Sequence, residues 1–446
     1  MKLTVIGGGG VRTPEFVRGA LHFVRDLDLQ EIWLMDVAAD RLAIVAELAR
    51  RIMYEAGGRC RIFTSTHLDD ALRDADAIVT AVRVGGEAGR IRDERVALDL
   101  GVLGQETTGP GGFAMAMRSI PALIAVAERA EALAPRAWMF NFTNPAGLVA
   151  QGLHRAGFPR AVGICDSANT AQHAVAAWLN EPVDRVKTEV FGLNHLSWAR
   201  SARVAGHDRL PELLADDGFV AATHLRLFGP EWVRRTGLFA NEYLYYYDFR
   251  DHALRDILAA EETRGEQIAR MSEALFASLA GRPGAQMMAA YNAYHRERDA
   301  GYLAHQGAQA EQDAAGGAAV GGYAGVALRT LLAVHADRPL RIALNVPNGA
   351  SIAGLAADDV VEVTCTVDRR GPQPIAIGEM PPGPRALVFA VKTYERLAIE
   401  AIEARSRARA VEALVAHPLV GSVSLATALV EGYLRAHAET VGTWGP

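Results

Sequence analysis

The chain has 446 residues, 50% hydrophobic and 22% charged, with a formal net charge of -6, a balance that fits a globular protein of two or three domains and excludes wholesale disorder. The mild acidity supplies no broad positive field for nucleic acid or an anionic membrane surface, and leaves room only for a local basic pocket. No apolar run is expected to reach the roughly 20 residues of a spanning helix, and a first strand starting at residue 2 leaves no room for a signal peptide, so a cytoplasmic location is expected.

"KLTVIG" reads as a strand, "GGGG" as a turn without side chains, and "PEFVRGALHFVRDL" as the helix that follows. Such a turn brings backbone N–H groups and a helix N-terminus to a pyrophosphate. "EIWLMD", the helical "ADRLAIVAELARRIMYEAG", then "CRIFTS" and "ADAIVTAVRV" continue the alternation of strand and helix. Continuous apolar strands with amphipathic helices between them predict a doubly wound parallel sheet. Asp36 ends the second strand, 29 residues after Gly7, where a carboxylate accepts from the ribose hydroxyls of NAD and repels a 2′-phosphate.

"RAWMFNFT" and "RAVGICD" are two further strands, each followed by a polar turn and a helix. Ligands collect beyond the carboxyl ends of such strands, which places Asn141, Asn144, Cys165 and Asp166 at the crevice. After "TEVFGLNHLSW" the pattern changes, and a boundary near residue 195 separates residues 1–195, a nucleotide-binding domain, from residues 196–446, an α+β domain for substrate and oligomerisation. In the second part, "VVEVTCTV" alternates with period two and predicts a sheet with one open face. "GAQAEQDAAGGAAVGGYAGVAL" reads as a mobile loop or a small-residue helix, and the charges after Pro384 read as a solvated helix face.

The polar residues carry the chemistry. Arg83 and Arg90 flank a glycine-rich turn, and Glu106 sits in "GQETTGPGG" before a helix at about residue 112. Cys60, Cys165 and Cys365 are too few for a disulfide framework, so each is a buried apolar residue or a functional thiol. Cys165 and His195 end two predicted strands in the same sheet region and form either a metal pair or a buried cysteine beside a hydrogen-bonded histidine. Asp166 with His195 would instead make the carboxylate–imidazole dyad of an NAD-dependent 2-hydroxy acid dehydrogenase. The tyrosines of "ANEYLYYYDF" are core residues or, for one at the crevice, a base whose pKa a cation lowers.

Taken together, "VIGGGGVRTPE", "RVGGEAGRIRDE", "GQETTGPGG", "NFTNPAG", "GICD", "GLNHLSW", "YLYYY", "TRGE", "LNVPNGASIAGL" and "VKTYERLAIEA" resemble glycoside hydrolase family four, NAD- and metal-dependent glycosidases, and most closely its 6-phospho-β-glucosidase branch. The resemblance spans nearly the whole chain and implies a Rossmann-like fold related to lactate and malate dehydrogenases. It also implies an exception to the two-carboxylate glycosidase scheme: oxidation at C3 by NAD, removal of the C2 proton, elimination at C1, addition of water and re-reduction. By this resemblance Cys165 and His195 hold Mn2+ or another divalent cation, and Tyr243 is the C2 base. Asp166 stands where many β-specific relatives carry Asn and α-specific relatives carry the aspartate that protonates the leaving group, and Glu106 completes the catalytic set. Arg90, Asn144, Asn194 and Arg264 contact the sugar or its 6-phosphate. Gly7, Gly8, Gly9, Gly10, Val11, Arg12, Asp36 and Asn141 hold NAD. A homodimer or homotetramer is implied as well. A family-four enzyme for α-linked or unphosphorylated sugars stays open beside the dehydrogenase reading.

Overall fold

Apolar runs bounded by glycine and polar turns form the predicted strands in a computed structural model, which describes residues 1–282, 284–300 and 322–446. Strands β1 (Lys2–Ile6), β2 (Glu31–Met35), β3 (Arg61–Ser65), β4 (Ala77–Thr80), β5 (Trp138–Asn141) and β6 (Ala161–Gly163) lie parallel in the order 3-2-1-4-5-6. This is the doubly wound arrangement, and its inner strands are apolar on both faces because helices cover both. Ile6 lies opposite Met35 and Thr80, Thr80 opposite Asn141, and Asn141 opposite Gly163. The residues that leave these strands therefore emerge along one edge, which is the crevice.

Strands β7 (Lys187–Leu193) and β8 (Leu196–Val204) make a hairpin, joined by β9 (His207–Asp208) and β10 (Phe239–Ala240) in a second, antiparallel sheet. Strands β11 (Leu340–Pro347), β12 (Val360–Asp368) and β13 (Gly371–Pro374) return to the first sheet, where Asn345 of β11 pairs antiparallel with Gly163 of β6. One nine-stranded sheet thus runs across the residue-195 boundary.

Three expectations change. Strand β12 has no open face: it is buried nearly throughout, against β7 and the helices Ala146–Arg155 and Gly322–Ala336. Helix Pro382–Ala404 does not only present charge to solvent, since Lys392 is fully buried, donates to Val360 O at 2.6 Å and pairs with Glu395. Helix Pro110–Leu133 is long and apolar enough by length and composition to cross a bilayer, yet most of it lies inside the fold. Its Arg118 there makes a two-pronged ion pair with Asp93, at 2.8 and 2.6 Å. Of the Ala/Gly-rich stretch, residues 307–321 lie outside the described residues.

Glu362 is the fully buried carboxylate of β12, and it fastens three elements. Its oxygens accept from Asn345 Nδ2 of β11 at 3.1 Å, from Asn194 Nδ2 at 3.0 Å and from Ser197 Oγ at 2.7 Å, the last two on either side of the β7–β8 turn. Burial, assisted by Glu242, overrides these hydrogen bonds and pushes the carboxyl up to about 7. The protonated form is thus favoured by folding: its contribution is complete below the unfolded-state value near 4.3 and is lost as pH rises through 7. Glu362→Gln keeps the acceptor and stays neutral, so its stability relative to the parent should rise by up to ~3 kcal/mol between pH 4 and 8, at about 1.4 kcal/mol per pKa unit. Urea unfolding of both proteins at the two pH values checks this, and a pH-independent difference contradicts it.

Candidate functional site

After β1 the chain turns through Gly7 at φ +90°, a left-handed conformation suited to glycine. A Cβ at Gly7 would stand 2.4 Å from Ala81 O, and one at Gly8 2.9 Å from Leu34 Cα, so the loop packs directly on its neighbours. The N–H groups of Gly7 and Gly8 donate to Met35 O at 2.9 and 2.8 Å, Gly9 N to Asp36 Oδ2 at 2.9 Å, and Gly10 N to Gly7 O at 3.1 Å. The hydrogen bonds of these four N–H groups, expected as a phosphate cradle, shape the loop itself. What the loop delivers to the cleft wall is Val11 and Arg12, at the entrance to helix Thr13–Ala20, with Asp36 across from them. At Gly10 a Cβ would meet only Gly7 O within 4 Å, so the backbone there lies open to a ligand.

Cys165 follows β6 by two residues. His195 sits in the two-residue turn between β7 and β8 at φ +60°, and this backbone conformation swings its ring toward the end of β6. Cys165 Sγ and His195 Nε2 are 3.5 Å apart, and both side chains are buried. Two ligands at about 2.3 Å (sulfur) and 2.05 Å (nitrogen), subtending a tetrahedral angle, stand roughly 3.5 Å apart, so the pair fits one shared cation. Among the described residues no group of three or more His, Cys, Asp or Glu gathers for a metal. Such an ion would therefore keep most of its coordination for substrate oxygens and water, as catalytic ions do.

The ring of Tyr243 stacks on His195, with centroids 3.6 Å apart and planes 4° from parallel. Asn241 holds this arrangement: its Oδ1 accepts from Tyr243 N at 3.0 Å, while its Nδ2 donates to Ser167 Oγ at 3.1 Å, and Ser167 Oγ lies 3.0 Å from Cys165 Sγ. Burial, with Glu362 and Asp166 adding to it, raises the Cys165 thiol well above its ordinary range. Burial also lowers His195 to about 4 against the pull of Glu106 and Asp166. A bound dication would reverse the first effect and leave the second useful, since a metal takes a thiolate and a neutral imidazole.

Glu106 Oε2 meets Arg83 NH1 at 2.7 Å and Arg90 NH1 at 3.2 Å. Burial disfavours its charge, but Arg90 and Arg83 prevail and hold the carboxyl well below the usual carboxylate range. Glu106 is thus a fixed anion that accepts hydrogen bonds and does not donate a proton. Arg90 also binds Glu94 at 2.8 Å, and Glu94 accepts from Gly265 N at 2.8 Å, next to Arg264.

Gly7, Gly9, Gly10, Val11, Arg12, Asp36, Arg90, Glu106, Asn144, Cys165, Asp166, His195, Tyr243 and Arg264 all line one cleft of about 1690 Å³, larger than a single small-ligand pocket of roughly 300–1,000 Å³. Three expected site residues do not line it. Gly8 is tucked behind the loop against Leu34. Asn141 is fully buried and serves Thr80 Oγ1 and Thr143, bracing the end of β5. Asn194 accepts from Gly147 N at 3.3 Å and donates to Glu362 at 3.0 Å, so its amide supports the turn. The Asp166–His195 dyad is not formed: the two ring nitrogens of His195 face Thr107 Oγ1 at 2.9 Å and Cys165 Sγ at 3.5 Å. Sequence reasoning passed over Gln105, Thr107, Ser167, Asn241 and Glu362, although Gln105 and Thr107 flank Glu106 and Glu362 is a lone charge in an apolar strand.

Comparison with known proteins places the chain in a family. The family described as "Family 4 glycosyl hydrolase" matches residues 2–181, and its C-terminal domain matches residues 190–420. A probable 6-phospho-beta-glucosidase of Bacillus subtilis is 33% identical over 450 residues, covering 98% of this chain and 96% of that protein. The 6-phospho-beta-glucosidase of Escherichia coli is 30% identical, over 98% of this chain and 95% of its own length. The structure of the Thermotoga maritima 6-phospho-beta glucosidase with NAD and glucose-6-phosphate superimposes with a TM-score of 0.85 at 26% identity, covering 100% of both chains. Malate dehydrogenase from Salinibacter ruber, at a TM-score of 0.52 and 15% identity, shares the fold alone. The chain belongs to family 4 of the glycosyl hydrolases.

Proposed function

We propose that this enzyme hydrolyses 6-phospho-β-glucosides with the help of NAD and a divalent cation, Mn2+ in the first instance. The observation that carries the reading is the buried Cys165–His195 pair, 3.5 Å apart beneath Tyr243, at the cleft wall that also receives the glycine loop. A glycosidase that worked with two carboxylates alone would have no use for a thiol and an imidazole there. Of the proteins named above, those of Escherichia coli and Thermotoga maritima are 6-phospho-beta-glucosidases and that of Bacillus subtilis is a probable one, and another form of the Thermotoga maritima structure holds manganese, NAD+ and glucose-6-phosphate.

Val11, Arg12 and Asp36 would hold the dinucleotide, the helix N-terminus facing its phosphates and the Asp36 carboxylate its ribose. Cys165 and His195 would hold the cation. When bound, NAD and the cation supply reversible oxidation of the sugar and stabilisation of the negative charge that forms once the C2 proton is gone. Tyr243 takes that proton through its phenolic oxygen, and its stacking on His195 fixes the ring beside the pair. Glu106 accepts a sugar hydroxyl, and Arg83 and Arg90 keep it charged for that task. Asn144 contacts the sugar, and Asp166 donates a proton to the departing oxygen. Arg264 and Arg298 lie in the part of the cleft where cations accumulate: burial and the neighbouring Arg12 and Arg90 lower the Arg298 guanidinium, and a 6-phosphate would offset that repulsion. All three cysteines are unpaired, which suits a reducing cytoplasm, and assembly as a homodimer or homotetramer belongs to the same reading.

Turnover of an aryl 6-phospho-β-glucoside in heavy water, with NAD, Mn2+ and a thiol reductant, should give glucose 6-phosphate carrying deuterium at C2. Product without deuterium at C2 contradicts the reading, and turnover of the α-linked or unphosphorylated panel members instead would reassign the substrate. Tyr243→Phe should lower kcat by about 10²–10⁴-fold, the range of a lost general base, and abolish C2 exchange while Mn2+ binding persists. Unchanged C2 exchange in that variant removes Tyr243 from the role.

A further inference from the structure

The ring of His195 meets the protein at both nitrogens, and the hydrogen-bond directions on the Nδ1 side are decided by a residue outside the ligand pair. Gln105 Oε1 accepts from the backbone N–H of Thr107 at 2.7 Å and of Thr108 at 2.5 Å. Two backbone donors converge there, so the atom must be the amide oxygen: an NH2 group in its place would face two N–H groups. The same oxygen lies 3.0 Å from Thr107 Oγ1, so the single hydroxyl proton of Thr107 points at Gln105. Were it turned away, two oxygens would face each other with no proton between them.

Toward His195 Nδ1, at 2.9 Å, Thr107 Oγ1 can then only accept. Nδ1 carries the ring proton, and the lone pair of the imidazole is on Nε2, 3.5 Å from Cys165 Sγ. From these contacts we propose that Thr107, anchored by Gln105, is a positioning residue that presets His195 as the tautomer able to bind a divalent cation through Nε2. The proposal rests on the reading of Cys165 and His195 as a cation pair and adds what makes that pair ready before the ion arrives. Outer hydrogen bonds to ligating histidines commonly set tautomer and ring orientation, and their loss costs 10–100-fold in metal affinity.

The test uses the full chain with NAD bound and Mn2+ as the probe, followed by the electron paramagnetic resonance signal of free Mn2+. Thr107→Val keeps the shape and removes the acceptor, and should weaken Mn2+ binding by about 10–100-fold. Thr107→Ser keeps the hydroxyl and should escape that loss of about 10–100-fold. Thr107→Val binding as tightly as the parent, while Cys165→Ser and His195→Ala lose Mn2+, overturns the proposal and spares the cation pair. Unaltered binding in Cys165→Ser and His195→Ala removes the pair itself, and the proposal with it. A measurement on the parent needs no variant: 15N-histidine spectra of the metal-free protein should show His195 protonated at Nδ1, and protonation at Nε2 overturns the proposal.

Discussion

Cys165 and His195, expected in one sheet region, follow strands of two different sheets, and their approach to 3.5 Å is the constraint around which the cleft is organised. Strand β6 ends the parallel series and releases Cys165 at the crevice, while the β7–β8 turn carries His195 in a left-handed conformation. Neither local feature brings the pair together. Glu362 does so, because its carboxyl accepts from residues on both sides of the His195 turn and from Asn345, which pairs with the last residue of β6. A buried carboxyl with all these hydrogen bonds satisfied is a rigid spacer, whereas an unsatisfied one would be costly.

The rest of the wall is built on the same economy of short polar links. Asn241 joins the Tyr243 turn to Ser167 and so to Cys165. The segment 105–108 serves two walls at once: Glu106 turns toward Arg83 and Arg90, and Thr107 toward His195. The proposed sugar contact and the proposed cation pair are therefore held in register by consecutive residues on one backbone turn, and a shift of that turn would disturb both.

Much of this was legible in the sequence. The doubly wound parallel sheet, the glycine turn and the positions of Asp36, Cys165, Asp166 and His195 near strand ends follow from periodicity and from the rule that ligands gather at carboxyl ends. What was not legible depends on partners far apart in the chain. Strand β12 alternates as an open-faced strand does, and only its placement against β7 and two helices makes it buried. Lys392 and Glu395 have the spacing of a surface ion pair and are buried because Val360 O and Gln151 lie above them. The four glycines signalled a close approach of backbone, correctly, but not that Met35 O, Asp36 and Gly7 O would absorb their N–H groups. Gln105 and Thr107 resemble ordinary turn residues until the histidine they face is known.

The central claim is that sulfur and imidazole share one ion at the cleft wall. Crystals of the NAD complex grown with Mn2+ and measured near the manganese absorption edge test it most directly. An anomalous peak within bonding distance of both Cys165 Sγ and His195 Nε2, with the remaining positions open to the cleft, is the result the account predicts. A peak held by other residues, or none while both side chains keep their places, would contradict it.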